Sequence, residues 1–262
     1  MMESTPFVVK NIKFRFREPQ QFLFIFGLPI MFLALFYFMF HGMDLEGSRN
    51  MFDSFIWGLM GFIVAFAVQS ASIAFSQEKG KGTLKRLQTT PVGSSNALFI
   101  GFIISEVIIV SLQLVFLYIV SFGLLGVYFV NIWSLLFTFG IYLVLSITCI
   151  GIGLMIAAVM SEKLASELPM LLIMPFVFLS GAIMPLDSPV IYVNPLFWAH
   201  QLAYNVAFNG KNPLTQNITL FNYTTKVTTN TGIPIIVGLP IVLISGIVFL
   251  ITGLLLFKKR LD

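Results

Sequence analysis

Charge is what this chain has least of. Only 10% of its 262 residues are Asp, Glu, Lys or Arg, while 58% are hydrophobic and 29 are phenylalanine. A soluble domain carries about a quarter charged residues. No soluble fold of this length can hide so much apolar surface, so the surrounding solvent is lipid. Cysteine is almost missing as well. A lone Cys149 excludes an intrachain disulfide framework and any all-cysteine metal site. The two histidines, His41 and His200, are far apart in sequence. There is no His-Glu-x-x-His run, no pair of carboxylates at a catalytic spacing and no Ser-His-Asp set, so no catalytic or metal-binding residues are expected. Gly80-Lys81-Gly82-Thr83 only superficially resembles a phosphate-binding loop. It lacks the Gly-Lys-Ser/Thr run after a spaced glycine and the preceding strand that would orient it. No nucleotide cofactor is therefore expected on this chain. The net charge of +4 would suggest nucleic acid in a soluble protein. In a membrane protein it reflects cations held at the cytoplasmic face, and no nucleic-acid partner is expected.

What the chain does have is long apolar runs. Six are read as spans, at 22–40, 55–76, 97–123, 132–160, 168–184 and 233–257, each near or above the ~20 residues that cross ~30 Å of hydrocarbon. The fifth is the shortest, and Pro175 predicts a kink in it. Ahead of them, residues 1–20 are polar and basic, unlike a cleaved signal peptide. Wound as a helix, this stretch puts Val8, Val9, Ile12 and Phe16 on one face, with Lys10, Lys13 and Arg17 beside it. Phe14 and Arg15 break the pattern. It reads as an amphipathic helix in the inner interface, and Pro19 turns the chain into the bilayer. The expected fold is thus a single all-α transmembrane domain over 1–262, with six helices and an interfacial helix before them.

Orientation follows from the cations. With both termini on one side, 12 of the 15 Lys and Arg fall there, leaving only Arg49, Lys211 and Lys226 opposite. That bias places both termini and the loop at 77–96 in the cytoplasm. The loop at 185–232 would lie outside. Its first half, PLDSPVIYVNPLFWAHQLAYNVAF, is too apolar for an exposed loop and is expected to re-enter or lie on the membrane, bent by Pro185, Pro189 and Pro195. Tyr192, Phe197, Trp198 and Tyr204 suit the headgroup belt. Its second half is rich in Asn and Thr, should be wet, and holds two sequons at Asn217 and Asn222.

Few polar groups interrupt the spans. Glu106 is the one acid well inside a run, and a charge in hydrocarbon costs at least ~2.5 kcal/mol. Gln113 lies two turns on, on the same face. The pair either lines a polar path or subunit contact, or makes interhelical hydrogen bonds, or reaches surface water. Gly153, Ala157 and Ser161 repeat every fourth residue, a small-residue stripe for close helix packing.

The most basic internal loop carries the most specific signal. Glu78-Lys79, Gly82-Thr83-Leu84, Arg86-Leu87 and Thr90-Pro91-Val92 resemble the E-K-x-x-G-T-L-E-R-L-x-x-T-P signature of ABC-2 type transporter permeases, with Lys85 where that family often has an acid. Leu179-Ser180-Gly181, Pro185, Pro189 and Asn194-Pro195 resemble the family's L-S-G-x-x-x-P block, and Gly253 to Lys258 its closing span. The resemblance implies paired six-helix subunits, identical or not. Each would dock a separate cytoplasmic ATPase through a coupling helix in the second-to-third-span loop and through the interfacial helix. It implies outward movement of drugs, lipids, polysaccharides or peptides across the plasma membrane, with ATP and Mg on the partner, and a substrate cavity made by spans two and five. On that reading Glu78, Lys79, Gly82, Thr83, Leu84, Lys85, Arg86, Leu87 and Pro91 form the docking element. Thr83 is placed to cap a short helix that Pro91 ends, with Leu84 and Leu87 on one face between Lys85 and Arg86. A secondary transporter or channel is the main rival, but it wants charged residues in several spans. A membrane enzyme or a non-transporting anchor are the others.

Overall fold

The computed structural model describes residues 5–17, 19–45, 49–80, 95–181, 189–222 and 227–261. The body is helical, as backbone groups in lipid must be satisfied within their own segment. In chain order, α1 is Thr5–Arg17 and α2 is Pro19–Phe22. A π-helical turn, Leu23–Gly27, joins α2 to α3, Leu28–Phe40. Then come α4, Met51–Ala65, and α5, Ala67–Gly80. Helix α6 is Ser95–Tyr118, extended by a π-helical stretch, Ile119–Leu124. Helix α7 is Ile132–Val159 and α8 is Glu162–Phe178. Helix α9, Pro195–Ala203, continues into the π-helical Tyr204–Phe208. The last helix, α10, is Gly238–Leu261.

Two small antiparallel hairpins are added to the helices. Strands β1, Asp44–Leu45, and β2, Arg49–Asn50, pair in the first. Strands β3, Asn217–Asn222, and β4, Val227–Pro234, pair in the second, with an irregularity between Asn217 and Thr219. Residues 217–222 and 227–231 of the Asn/Thr-rich half of the long loop thus lie in paired strands.

Among the described residues, four helices are long and apolar enough to cross a membrane: Met51–Gly80, Phe99–Leu124, Ile132–Val159 and Ile235–Leu256. Ile25–Phe40 is apolar but shorter. The fifth run is also short, at 17 residues. Its helix begins at Glu162 rather than 168, because Ser161 has the extended backbone of an N-cap and Glu162 sits in the first turn, where a negative charge suits the helix dipole. Pro169 and Pro175 both lie inside it. The second run also outgrows its expected limits: α5 carries on to Gly80, so Gln77, Glu78 and Lys79 are helical.

Helix α7 is the central post, packed most extensively against α10 and α5. Close approach to α5 needs the small-residue stripe. At Gly153 an added Cβ would strike the Val68 carbonyl oxygen and lie 3.0 Å from Ala71 Cβ, while Ala157 is fully buried. Helix α4 is buried along nearly its whole length. Tyr142 Oη donates to the Trp57 carbonyl, and Phe32, Phe36 and Phe40 of α3 pack on Phe62 and Phe55, with ring centroids 4.7 to 5.1 Å apart.

One sequence expectation is corrected here. Of the four aromatics assigned to a headgroup belt, Phe197, Trp198 and Tyr204 are buried inside the protein, and only Tyr192 is exposed. Helix α9 is buried around its whole circumference, His200 and Gln201 included, and is enclosed by α4, α7 and α10. Asn194 holds its start, accepting from Leu196 N at 2.9 Å and donating to the Phe176 carbonyl at 2.6 Å. Trp198 Nε1 donates to the Tyr192 carbonyl at 2.7 Å.

Candidate functional site

Two neighbouring polar arrangements tie α1, α5, α6 and α7 together. The first is at the end of α5. Consecutive helical residues point about 100° apart, so Glu78 and Lys79 serve different neighbours. Glu78 turns to α1, where Lys10 Nζ lies 2.9 Å from its Oε1; both side chains are partly exposed. Lys79 turns to the end of α7. Its Nζ donates to the carbonyls of Ala158 at 3.0 Å, Ala157 at 3.2 Å and Met160 at 3.4 Å. These are carbonyls left without intrahelical donors at a helix C-terminus, where a cation is also favoured by the dipole. At Gly80 a Cβ would collide with the Glu162 carboxylate of α8, so the last residue of α5 sits tight against the α7–α8 junction. A polar cleft lined by Ser76, Gln77, Glu162, Lys163 and Ser166 opens beside it.

Gly82, Thr83, Leu84, Lys85, Arg86, Leu87 and Pro91 lie outside the described residues, which resume at Ser95. The structure thus describes Glu78 and Lys79, the first two residues of the expected docking element, but none of its other seven.

The second arrangement is buried. Arg15, which broke the amphipathic pattern of α1, turns inward. Its Nη2 donates to Glu106 Oε1 of α6 and to the Ser70 carbonyl of α5 at 2.9 Å. Ser70 Oγ donates to Glu106 Oε2 at 2.8 Å. Arg15 is 5% exposed and Glu106 fully buried, so each ion has its counter-charge within a buried site, the condition under which a buried charge is tolerated. One turn earlier on α1, Asn11 Nδ2 donates to Ser105 Oγ at 3.2 Å. Farther along α6, Gln113 Nε2 donates to the Ile25 carbonyl in the π-helical turn at 2.8 Å.

Glu106 and Gln113, read together from the sequence, thus sit differently. Gln113 borders a cleft of about 100 Å³ whose lining also includes Arg15, Gln69 and Ser70. Glu106 is not part of that lining. Sequence reasoning did not find Arg15 as the partner of Glu106, nor the bonds of Lys10 and Lys79. The signal available was the cation out of phase on α1.

The apolar face of α1 is only partly covered by protein: Val8 and Ile12 are half-buried, but Val9 and Phe16 are exposed. Exposed apolar residues also mark α10 at Leu243, Ile244, Ile247, Val248, Ile251 and Leu255, surfaces that suit lipid or another protein rather than water.

A family model described as ABC-2 type transporter matches residues 7–208. Among curated proteins, none matches the chain.

Proposed function

Because the chain belongs to the ABC-2 type transporter family and is a multi-pass membrane permease of an ABC-type transporter, we propose that it is the transmembrane subunit of an ATP-driven exporter. Two such subunits pair, and each docks a separate cytoplasmic ATPase through the loop that follows α5. That partner holds ATP and Mg; this chain holds no nucleotide site and does no chemistry of its own. The cargo is hydrophobic or amphipathic, a drug, a lipid or a similar molecule, moved outward across the plasma membrane.

In this reading the chain crosses the bilayer six times, with both termini cytoplasmic, α1 in the inner interface and α9 re-entrant from the outer side. The exposed Val9 and Phe16 beside exposed Lys10, Lys13 and Arg17 support the interfacial position of α1. The burial of α9 among α4, α7 and α10 supports the re-entrant one.

The observation that carries the proposal is mechanical. The residue pair that opens the docking signature, Glu78 and Lys79, is bonded to α1 on one side and to the end of α7 on the other. A push on the loop would therefore move α5 together with α1 and the end of α7, a rigid-body transition rather than a local bend. Leu84 and Leu87 are the apolar knob that the ATPase grips. Replacing both with Asp is expected to abolish co-purification of the ATPase while leaving membrane insertion intact. Undiminished co-purification of the ATPase with that double variant overturns the coupling role.

A further inference from the structure

The cleft beside the buried ion pair has more room than its neighbours fill. Its apolar walls are Ile25, Phe66, Ala67, Ile73, Ile109 and Val110, contributed by the π-helical turn, α5 and α6 and by Phe66 between α4 and α5. Four polar residues complete the lining, and three are already committed. Arg15 holds Glu106, Ser70 holds Glu106 from the other side, and Gln113 holds the Ile25 carbonyl. Gln69 differs: among the described residues its half-buried amide makes no hydrogen bond, and it faces into the lining.

These features define a ligand. The guanidinium and carboxylate cancel, so the site has no net charge to offer an ion. With three of its four polar residues already bonded, the cleft offers water little beyond Gln69, and water needs two to four polar partners to stay. From Phe66 to Ile73 the lining advances seven residue steps, roughly 10 Å of helix. Leu23 and Leu112, neighbours in sequence of Ile25 and Gln113, are exposed, so the surface around the cleft is greasy. An apolar chain with one neutral polar group at its end matches this lining, the amide of Gln69 meeting a carbonyl or hydroxyl there.

We propose that this cleft binds one acyl chain of a membrane phospholipid, with Gln69 hydrogen-bonded to its ester carbonyl. The chain fills the space between α1, the π-helical turn, α5 and α6, and packs against the helices that carry the Arg15–Glu106 pair. Binding requires neither the ATPase nor transport, so it is tested apart from the permease reading.

The test reconstitutes the full chain in nanodiscs of phosphatidylcholine carrying a photoactivatable diazirine in mid-chain, irradiates them and maps the adducts by mass spectrometry. Adducts are expected on peptides holding Phe66–Ile73 and Ile109–Gln113 at higher occupancy than on the exposed stripe of α10. Filling the cleft with Ala67→Phe, or separately Val110→Phe, should lower cleft labelling about fivefold or more, equivalent to about 1 kcal/mol of lost preference by the tenfold-per-1.4 rule. Labelling of Ile244 and Ile247 on α10 serves as the internal check that the fold is intact. Gln69→Leu should shift adducts along the chain without removing them. Cleft labelling no higher than that of α10, or unchanged by both filling variants, overturns the proposal. If one filled variant loses the α10 pattern, the other decides.

Discussion

Replacing Arg15 with methionine would leave the Glu106 carboxylate only the hydroxyl of Ser70. The structure sets the size of the effect. Arg15 is 5% exposed and Glu106 fully buried, so the discount that solvent applies to surface pairs does not hold here. Removing one partner of a buried pair costs about 3–5 kcal/mol, because an uncompensated charge stays behind. At about 2–4 °C per kcal/mol for a chain of this size, melting in detergent should fall on the order of 10 °C. Glu106→Met should cost a comparable amount, stranding the guanidinium instead. The double variant Arg15→Met/Glu106→Met removes both charges together, and buried pairs replaced by apolar residues are often neutral or better. It should recover most of the loss. The assay is thermal unfolding of the four proteins, read as a double-mutant cycle. If Arg15→Met melts within about 2 °C of the parent, or the double variant loses the sum of the two singles, the pair does not do what its geometry implies.

Other substitutions test the remaining contacts. Gly153→Ala should cost about 1–3 kcal/mol by overpacking, since its Cβ meets backbone of α5. Gly140→Ala on the same helix, with nothing within 4 Å, should be neutral or stabilising by up to about 1 kcal/mol; yield and melting temperature compare the two. Lys79→Met should cost about 1.5–3 kcal/mol by releasing the carbonyls at the end of α7, and hydrogen exchange should rise in residues 157–160. Asn194→Ala should lose about 1–2 kcal/mol and loosen α9. Asn194→Asp should keep the cap to Leu196 but lose the bond to Phe176, so proteolysis of the 189–193 segment separates the two roles.

The expected docking element was the most specific pattern in the sequence, because its glycines, threonines, leucines and proline form a local signature. The same locality explains what was missed. Glu78 and Lys79 were read as members of a loop, yet both are helical, and their partners lie 68 residues away on α1 and about 80 away on α7. The belt assignment of Phe197, Trp198 and Tyr204 failed for a related reason: an aromatic-rich segment beside prolines looks the same whether it meets headgroups or other helices.

Composition and run length alone determined that this is a helical membrane protein, since 58% hydrophobic residues and 10% charge leave no soluble alternative. Helical periodicity determined that α1 is amphipathic with Arg15 out of phase. Only the tertiary structure decided where Arg15 goes, because its partner Glu106 lies 91 positions along the chain. It also decided that α9 is enclosed by α4, α7 and α10. Periodicity reports which face of a helix is apolar; only packing between distant segments chooses what that face, or a charge set against it, will meet.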